Sequence, residues 1–71
     1  MNPSQITARF FALTDADTKS SILTCVANQY GISHAEAEAE VMDSEAESLL
    51  DYLTGPVRAA TSVLMKRHGL A

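Results

Sequence analysis

The longest patterned stretch of the chain is SHAEAEAEVMDSEAESLLDYLT, which begins at Ser33. Its apolar residues are separated alternately by four and three positions, so they fall on one side of an α-helix. This alanine seam comprises Ala35, Ala39, Met42, Ala46, Leu49 and Leu53. The AEAEAE run has the period of a strand, but Ala and Glu favour helices over strands. We therefore predict a long third helix over 34–53. A break near Asp43 is the alternative, because Ser44 and Glu47 form a second capping box.

Helix start and stop signals predict three further helices. The first spans 3–13 and is capped by Asn2, with a proline at its first position. The second spans 15–30, is capped by Thr14 and ends before a glycine. The fourth spans 56–68 and begins at a Gly-Pro pair. The predicted inward residues of these helices are Ile6, Phe10, Phe11, Leu13, Ile22, Leu23, Val26, Ala27, Tyr30, Val57, Ala60, Val63 and Leu64.

Short loops between these segments predict that consecutive helices pack antiparallel. The fold class is therefore all-α, a small bundle of about four helices in a single domain over 1–71. A 71-residue chain buries only about 60% of the surface that its unfolded form exposes, so its own core is marginal. The single cysteine excludes an internal disulfide. We therefore expect a homodimer, in which part of the alanine seam contacts a second copy. The alternative is that the seam packs entirely within one chain.

A second set of residues on the third helix is acidic and faces away from the alanine seam. This acidic ridge comprises Glu36, Glu40, Asp43, Glu47 and Asp51. Carboxylates at spacings of three or four repel each other by a few tenths of a kcal/mol per pair, which either solvent or a basic partner relieves. The interpretation we adopt is a non-enzymatic adaptor, regulator or inhibitor that binds another protein with a basic surface through this ridge. A purely solvated ridge is the alternative.

The segment VANQYGIS, residues 26–33, resembles the first half of a helix-turn-helix: an alanine on the first helix, a glycine in the turn, an apolar residue and a cap. The resemblance implies a bend over residues 22–42 and, as an alternative function, a DNA-binding regulator. The second helix would, however, carry Glu36, Glu38 and Glu40 and no Lys or Arg towards phosphates. Nucleic acid is therefore not the expected partner. Mimicry of DNA phosphates by the ridge is a further alternative.

Candidate catalytic and metal-binding side chains are few. Cys25 lies beside apolar residues of the second helix and is expected to be a buried small hydrophobe. His34 and His68 have no partner at a spacing that suits acid–base or metal chemistry. We therefore expect no enzyme activity, cofactor or metal. The chain shows no signal peptide and no apolar run of membrane-spanning length, so a cytoplasmic protein without membrane contact is expected.

Overall fold

Four α-helices and one 3₁₀-helix account for most of residues 2–43 and 48–70, which are the residues that this computed structural model describes. The α-helices are α1 (Pro3–Leu13), α2 (Ala16–Tyr30), α3 (His34–Asp43) and α4 (Gly55–Arg67), and the 3₁₀-helix, between α3 and α4, is Leu49–Tyr52. Helix α3 packs against α1 and α2, while α4 packs against α2 and the 3₁₀-helix. The predicted all-α bundle of four helices is confirmed.

The third helix is shorter than the predicted 34–53. Ser48 has extended backbone angles (φ −77°, ψ 159°), and the following turn over Leu49–Tyr52 is a separate 3₁₀-helix. Because an extended residue cannot continue a helix, one rod through this region is excluded. The proposed capping box of Ser44 and Glu47 lies outside the described residues.

The inward face of α3 differs from the predicted one. Ala37 and Val41 are buried, whereas Ala35 and Ala39 of the alanine seam are exposed and Met42 is half-buried. Burying the valine side chain removes more apolar area from water than burying another alanine methyl group. The helix is therefore turned so that Val41 and the alanine one turn before it face α1 and α2.

Every helix contributes buried residues to the core. Its buried apolar members are Phe10, Ile22, Leu23, Val26, Ala27, Ala37, Val41, Leu49, Tyr52, Leu53, Met65 and Leu70. The radius of gyration is 10.9 Å, close to the value of about 11 Å expected for a compact chain of this length. A single copy of the chain therefore covers this core without a partner.

The buried faces of α1 and α4 are also rotated from the predicted positions. In α1, Thr7 is buried beside Phe10, while Leu13 is half exposed. In α4, Thr61 and Met65 are buried, whereas Val63, predicted to be buried, is 55% exposed. In both helices the prediction treated a threonine as a polar residue outside the buried face. The structure instead buries that threonine one turn from a large apolar residue.

The helix ends follow local sequence signals. Asn2 caps α1 as predicted, but the cap of α2 is Asp15 rather than Thr14. The Asp15 carboxylate accepts a hydrogen bond from the Thr18 N–H at 2.7 Å. Thr14 instead ends α1, where its N–H donates to a carbonyl of the last turn.

Gly31 ends α2 with φ +66°, a left-handed conformation that favours glycine. The next N–H, of Ile32, donates to the Ala27 carbonyl at 3.0 Å, as in a Schellman motif. The C-terminus repeats this arrangement, because Gly69 has φ +72° and the N–H of the buried Leu70 donates to a carbonyl of α4. Both glycines therefore direct the following apolar residue back against the bundle.

Candidate protein-interaction surface

The exposed side of α3 carries three carboxylates on one stripe. Glu36, Glu40 and Asp43, here called the acidic stripe, are separated by four and three positions and are all exposed. Of the other members of the acidic ridge, Asp51 is exposed on the 3₁₀-helix, and Glu47 lies outside the described residues. The acidic stripe is therefore the part of the predicted contact surface that the structure describes on one helix.

Two carboxylates of the acidic ridge also stabilise helix starts. Glu36 accepts from the Ser33 N–H at 3.3 Å, while the Ser33 hydroxyl accepts from the Glu36 N–H at 3.1 Å, which confirms the predicted capping box. Asp51 accepts from the Ser48 N–H at 3.2 Å. Glu40 and Asp43 form no hydrogen bond or ion pair with any residue that the structure describes. Within residues 2–43 and 48–70, neither carboxylate caps a helix start.

The fourth acidic residue of α3, Glu38, lies on the side of the helix that faces α2 and is not part of the stripe. Its carboxylate lies 2.7 Å from the Lys19 ammonium group. The same ammonium group lies 5.4 Å from the centroid of the Phe11 ring, within the range of a cation–π interaction. Glu38 is thus compensated within the bundle, which distinguishes it from the exposed carboxylate of Glu40 two positions later.

Beside the stripe is a surface recess that we call the tyrosine notch. It is lined by Tyr30, Ile32, Glu40 and Tyr52 and has a volume of about 370 Å³. The two tyrosine rings meet edge-on, with centroids 6.1 Å apart and planes at 67°. Tyr52 is buried, but Tyr30 at the end of α2 is 50% exposed. The notch therefore joins an accessible aromatic surface to a carboxylate of the acidic stripe.

The alanine seam does not form one continuous surface. Its α3 alanines are exposed, Leu49 and Leu53 are almost fully buried in the core, and Ala46 lies outside the described residues. The prediction assumed an unbroken helix, which the extended Ser48 excludes. Leu49 and Leu53 are therefore not available to a second copy of the folded chain. A contact through Ala35 and Ala39 stays a prediction.

The groove between α2 and α4 contains the only cysteine of the chain. Cys25 is half-buried in a depression lined by Ser21, Thr24, Cys25, Asn28, Gln29, Thr54 and Val57. No basic side chain is among these lining residues. The Nε2 atom of His34 lies 2.9 Å from the hydroxyl oxygen of Thr24, within hydrogen-bond distance. His68 is exposed at the end of α4.

The bend between α2 and α3 has the local form that the resemblance to a helix-turn-helix implies. Ala27 is buried, Gly31 occupies the turn and Ala37 is buried on the second helix. The exposed side of that second helix carries Glu36 and Glu40, which are negatively charged, as are the phosphates of DNA. The residues of the bend therefore occupy the predicted positions, and DNA binding stays an alternative prediction.

Comparison of the chain with protein-family models, with curated proteins and with solved structures gave no match. None of the helices in residues 2–43 and 48–70 is long and apolar enough to cross a membrane.

The tyrosine notch was not among the sequence predictions. Tyr30 was predicted to face the core. The signal available in the sequence was the position of Tyr30 as the last helical residue before Gly31. A large amphipathic ring at a helix end often keeps one edge in water.

Proposed function

We propose that this protein acts by binding another protein, as a small non-enzymatic adaptor, regulator or inhibitor, and that the acidic stripe is its contact surface. The observation that supports the proposal is the exposure of Glu40 and Asp43 on one stripe of α3, without a counter-charge among the described residues. By contrast, Glu38, which lies on the side of α3 facing α2, is paired with Lys19. On α3, the carboxylates without a counter-charge among the described residues are therefore exposed to a partner.

A basic protein surface is the partner that these charges favour. Glu36 repels Glu40 and Glu40 repels Asp43, because residues three and four apart are neighbours on a helix. A basic partner would relieve this repulsion and would be steered towards a chain with a net charge of −4. Nucleic acid and anionic lipid are negatively charged and favour basic proteins, so they are not the partners that these carboxylates favour. A cytoplasmic location is part of the proposal and is supported by the single free thiol of Cys25.

The experiment compares two double variants that change the net charge equally. Glu40→Gln with Asp43→Asn removes two of the three charges of the stripe and raises the net charge from −4 to −2. The control, Asn28→Lys with Gln29→Lys, makes the same change on exposed positions of α2 beside the α2–α4 groove. Each immobilised variant is used to capture proteins from lysate, and each captured protein is then purified and its affinity measured at two salt concentrations.

We expect the wild type and the α2 control to bind the same purified partner and the stripe variant to lose it. Binding by the wild type should weaken as salt increases, because the contact is between charged surfaces. If the stripe variant binds the partner as tightly as the wild type, the stripe is not the contact surface.

Self-association is a separate proposal, supported by the exposure of Ala35 and Ala39, which allow close approach of a second helix. Sedimentation equilibrium at micromolar concentration tests it. A homodimer should have twice the chain mass of 7.6 kDa, and a single species of 7.6 kDa would contradict the proposal.

A further inference from the structure

The tyrosine notch combines three features that together suit one kind of side chain. The half-exposed ring of Tyr30 offers an aromatic surface, Ile32 supplies an apolar contact, and Glu40 supplies a negative charge at the same recess. The volume of about 370 Å³ is near the lower end of the roughly 300–1,000 Å³ typical of ligand pockets. A recess of this size accommodates one long side chain of a partner.

We propose that the notch binds an arginine side chain from the basic partner protein. This inference rests on the proposed function, because it identifies which group of the partner the acidic stripe would recognise. The aliphatic part of the arginine would lie against Ile32, the guanidinium plane against the tyrosines, and its N–H groups would donate to the Glu40 carboxylate.

Charge and geometry favour arginine over the other candidates. Guanidinium is planar, stacks on aromatic rings, pairs with carboxylate through two hydrogen bonds and is less strongly hydrated than ammonium. A lysine offers only a compact charge to the same recess. A neutral apolar side chain would leave Glu40 without a counter-charge, and an acidic one would be repelled by it. Tyrosine and arginine are also the residue types that most often dominate the binding energy at protein interfaces.

The test is an NMR titration of the full ¹⁵N-labelled chain with three blocked tripeptides, acetyl-Gly-Xaa-Gly-amide, in which Xaa is arginine, lysine or citrulline. Citrulline keeps the shape of arginine but has no charge. Four variants provide matched comparisons. Tyr30→Ala removes the exposed ring, and Tyr30→Phe keeps it. Glu40→Gln removes the charge of the notch, and Glu38→Gln removes one charge from the same helix on the side facing α2. The spectrum of each free variant shows whether it is folded.

We expect the arginine peptide to shift the amide signals of Tyr30, Ile32, Glu40 and Tyr52 more than those of the rest of the chain. The lysine peptide should bind more weakly, and the citrulline peptide should cause no shift. Glu40→Gln should raise the Kd about tenfold, the usual effect of losing a hydrogen bond to a charged group. Tyr30→Ala should raise it about threefold, the usual effect of an exposed cation–π contact. Tyr30→Phe and Glu38→Gln should bind like the wild type.

Two results would overturn the inference. One is that the arginine peptide shifts Glu36 and Asp43 as much as the notch residues and that Tyr30→Ala has no effect, which would mean unspecific attraction to the stripe. The other is that the peptide causes no shift at all. Neither result depends on the capture experiment with the stripe variant, so failure of the notch is distinguishable from failure of the proposed function.

Discussion

The ammonium group of Lys19 on α2 lies 2.7 Å from the carboxylate of Glu38 on α3, close to the ring of Phe11 on α1. Three helices therefore meet around one charged side chain. The side chains of the two partners are 35% and 42% exposed. Because exposed ion pairs are screened by water and salt, this contact orients the helices more than it stabilises them.

The first prediction concerns the strength of this ion pair. In a double-mutant cycle of Lys19→Met and Glu38→Gln, we expect a coupling energy of about 0.2–1 kcal/mol that decreases with salt. Methionine keeps the apolar stem beside Phe11, so the cycle isolates the charge. Urea unfolding followed by circular dichroism provides the free energies. A coupling energy above about 2 kcal/mol would show that the pair behaves as a buried ion pair.

The second prediction concerns the left-handed glycine that ends α2. Gly31→Ala should decrease the free energy of unfolding by about 1–2 kcal/mol, because an L-residue is strained at φ +66°. No side chain of the bundle beyond the two adjacent residues lies within 4 Å of the position that a Cβ would occupy, so the effect comes from the local backbone conformation and not from a clash with the bundle. D-alanine at this position, introduced by chemical synthesis, adopts positive φ without strain and should stabilise the chain slightly. Equal destabilisation by both enantiomers would contradict this explanation.

The third prediction compares two neighbours on α4. Met65→Ala should decrease the free energy of unfolding by about 2–5 kcal/mol, because it leaves a cavity in the core. Val63→Ala should change it by no more than about 0.5 kcal/mol, because the valine is 55% exposed. Denaturant titration measures both. If Val63→Ala destabilised the chain more than Met65→Ala, α4 would have the orientation first predicted from the sequence.

The fourth prediction concerns pH. Hydrogen bonds from the side chain and the backbone N–H of Thr18 lower the pKa of Asp15 below 3.8. A lowered folded pKa contributes stability above the unfolded pKa of about 4, and this stability is lost as the pH falls through the folded value. Asp15→Asn keeps a good cap without a titrating group. The advantage of the wild type over this variant should therefore decrease below about pH 4, which thermal unfolding between pH 2 and pH 7 measures. A constant difference over that range would contradict the assignment.

The sequence predicted the helices well because their ends depend on local chemistry. The Asn2 cap, the glycine after α2 and the Ser33–Glu36 capping box all occur as expected. Each of these signals involves residues within a few positions of each other. Two helix ends are exceptions. At the start of α2, Thr14 and Asp15 are adjacent and both are good caps. The end of the third helix was predicted at 53, but α3 ends at Asp43.

The orientation of the helices was harder to predict because it depends on distant residues. Ala35, Ala37 and Ala39 have the same side chain, so their pattern does not indicate which of them faces the core. Which alanine faces the core is decided by Val41, which is buried where α3 packs against α1 and α2. That packing exists only in the tertiary structure. The acidic stripe was predictable, since its spacing lies within one helix. The tyrosine notch was not, because Tyr30 and Tyr52 meet only after the chain has folded.

The hydrogen bond from Ile32 to Ala27 gives one residue two roles, since Ile32 both follows the end of α2 and lines the tyrosine notch. The backbone hydrogen bond that ends the helix thereby fixes the position of one residue of the recess. Tyr30 and Glu40, which lie at its exposed rim, are not constrained in this way. If the notch binds a partner as proposed, substitution of these two residues should alter the affinity while the backbone of the bend is preserved.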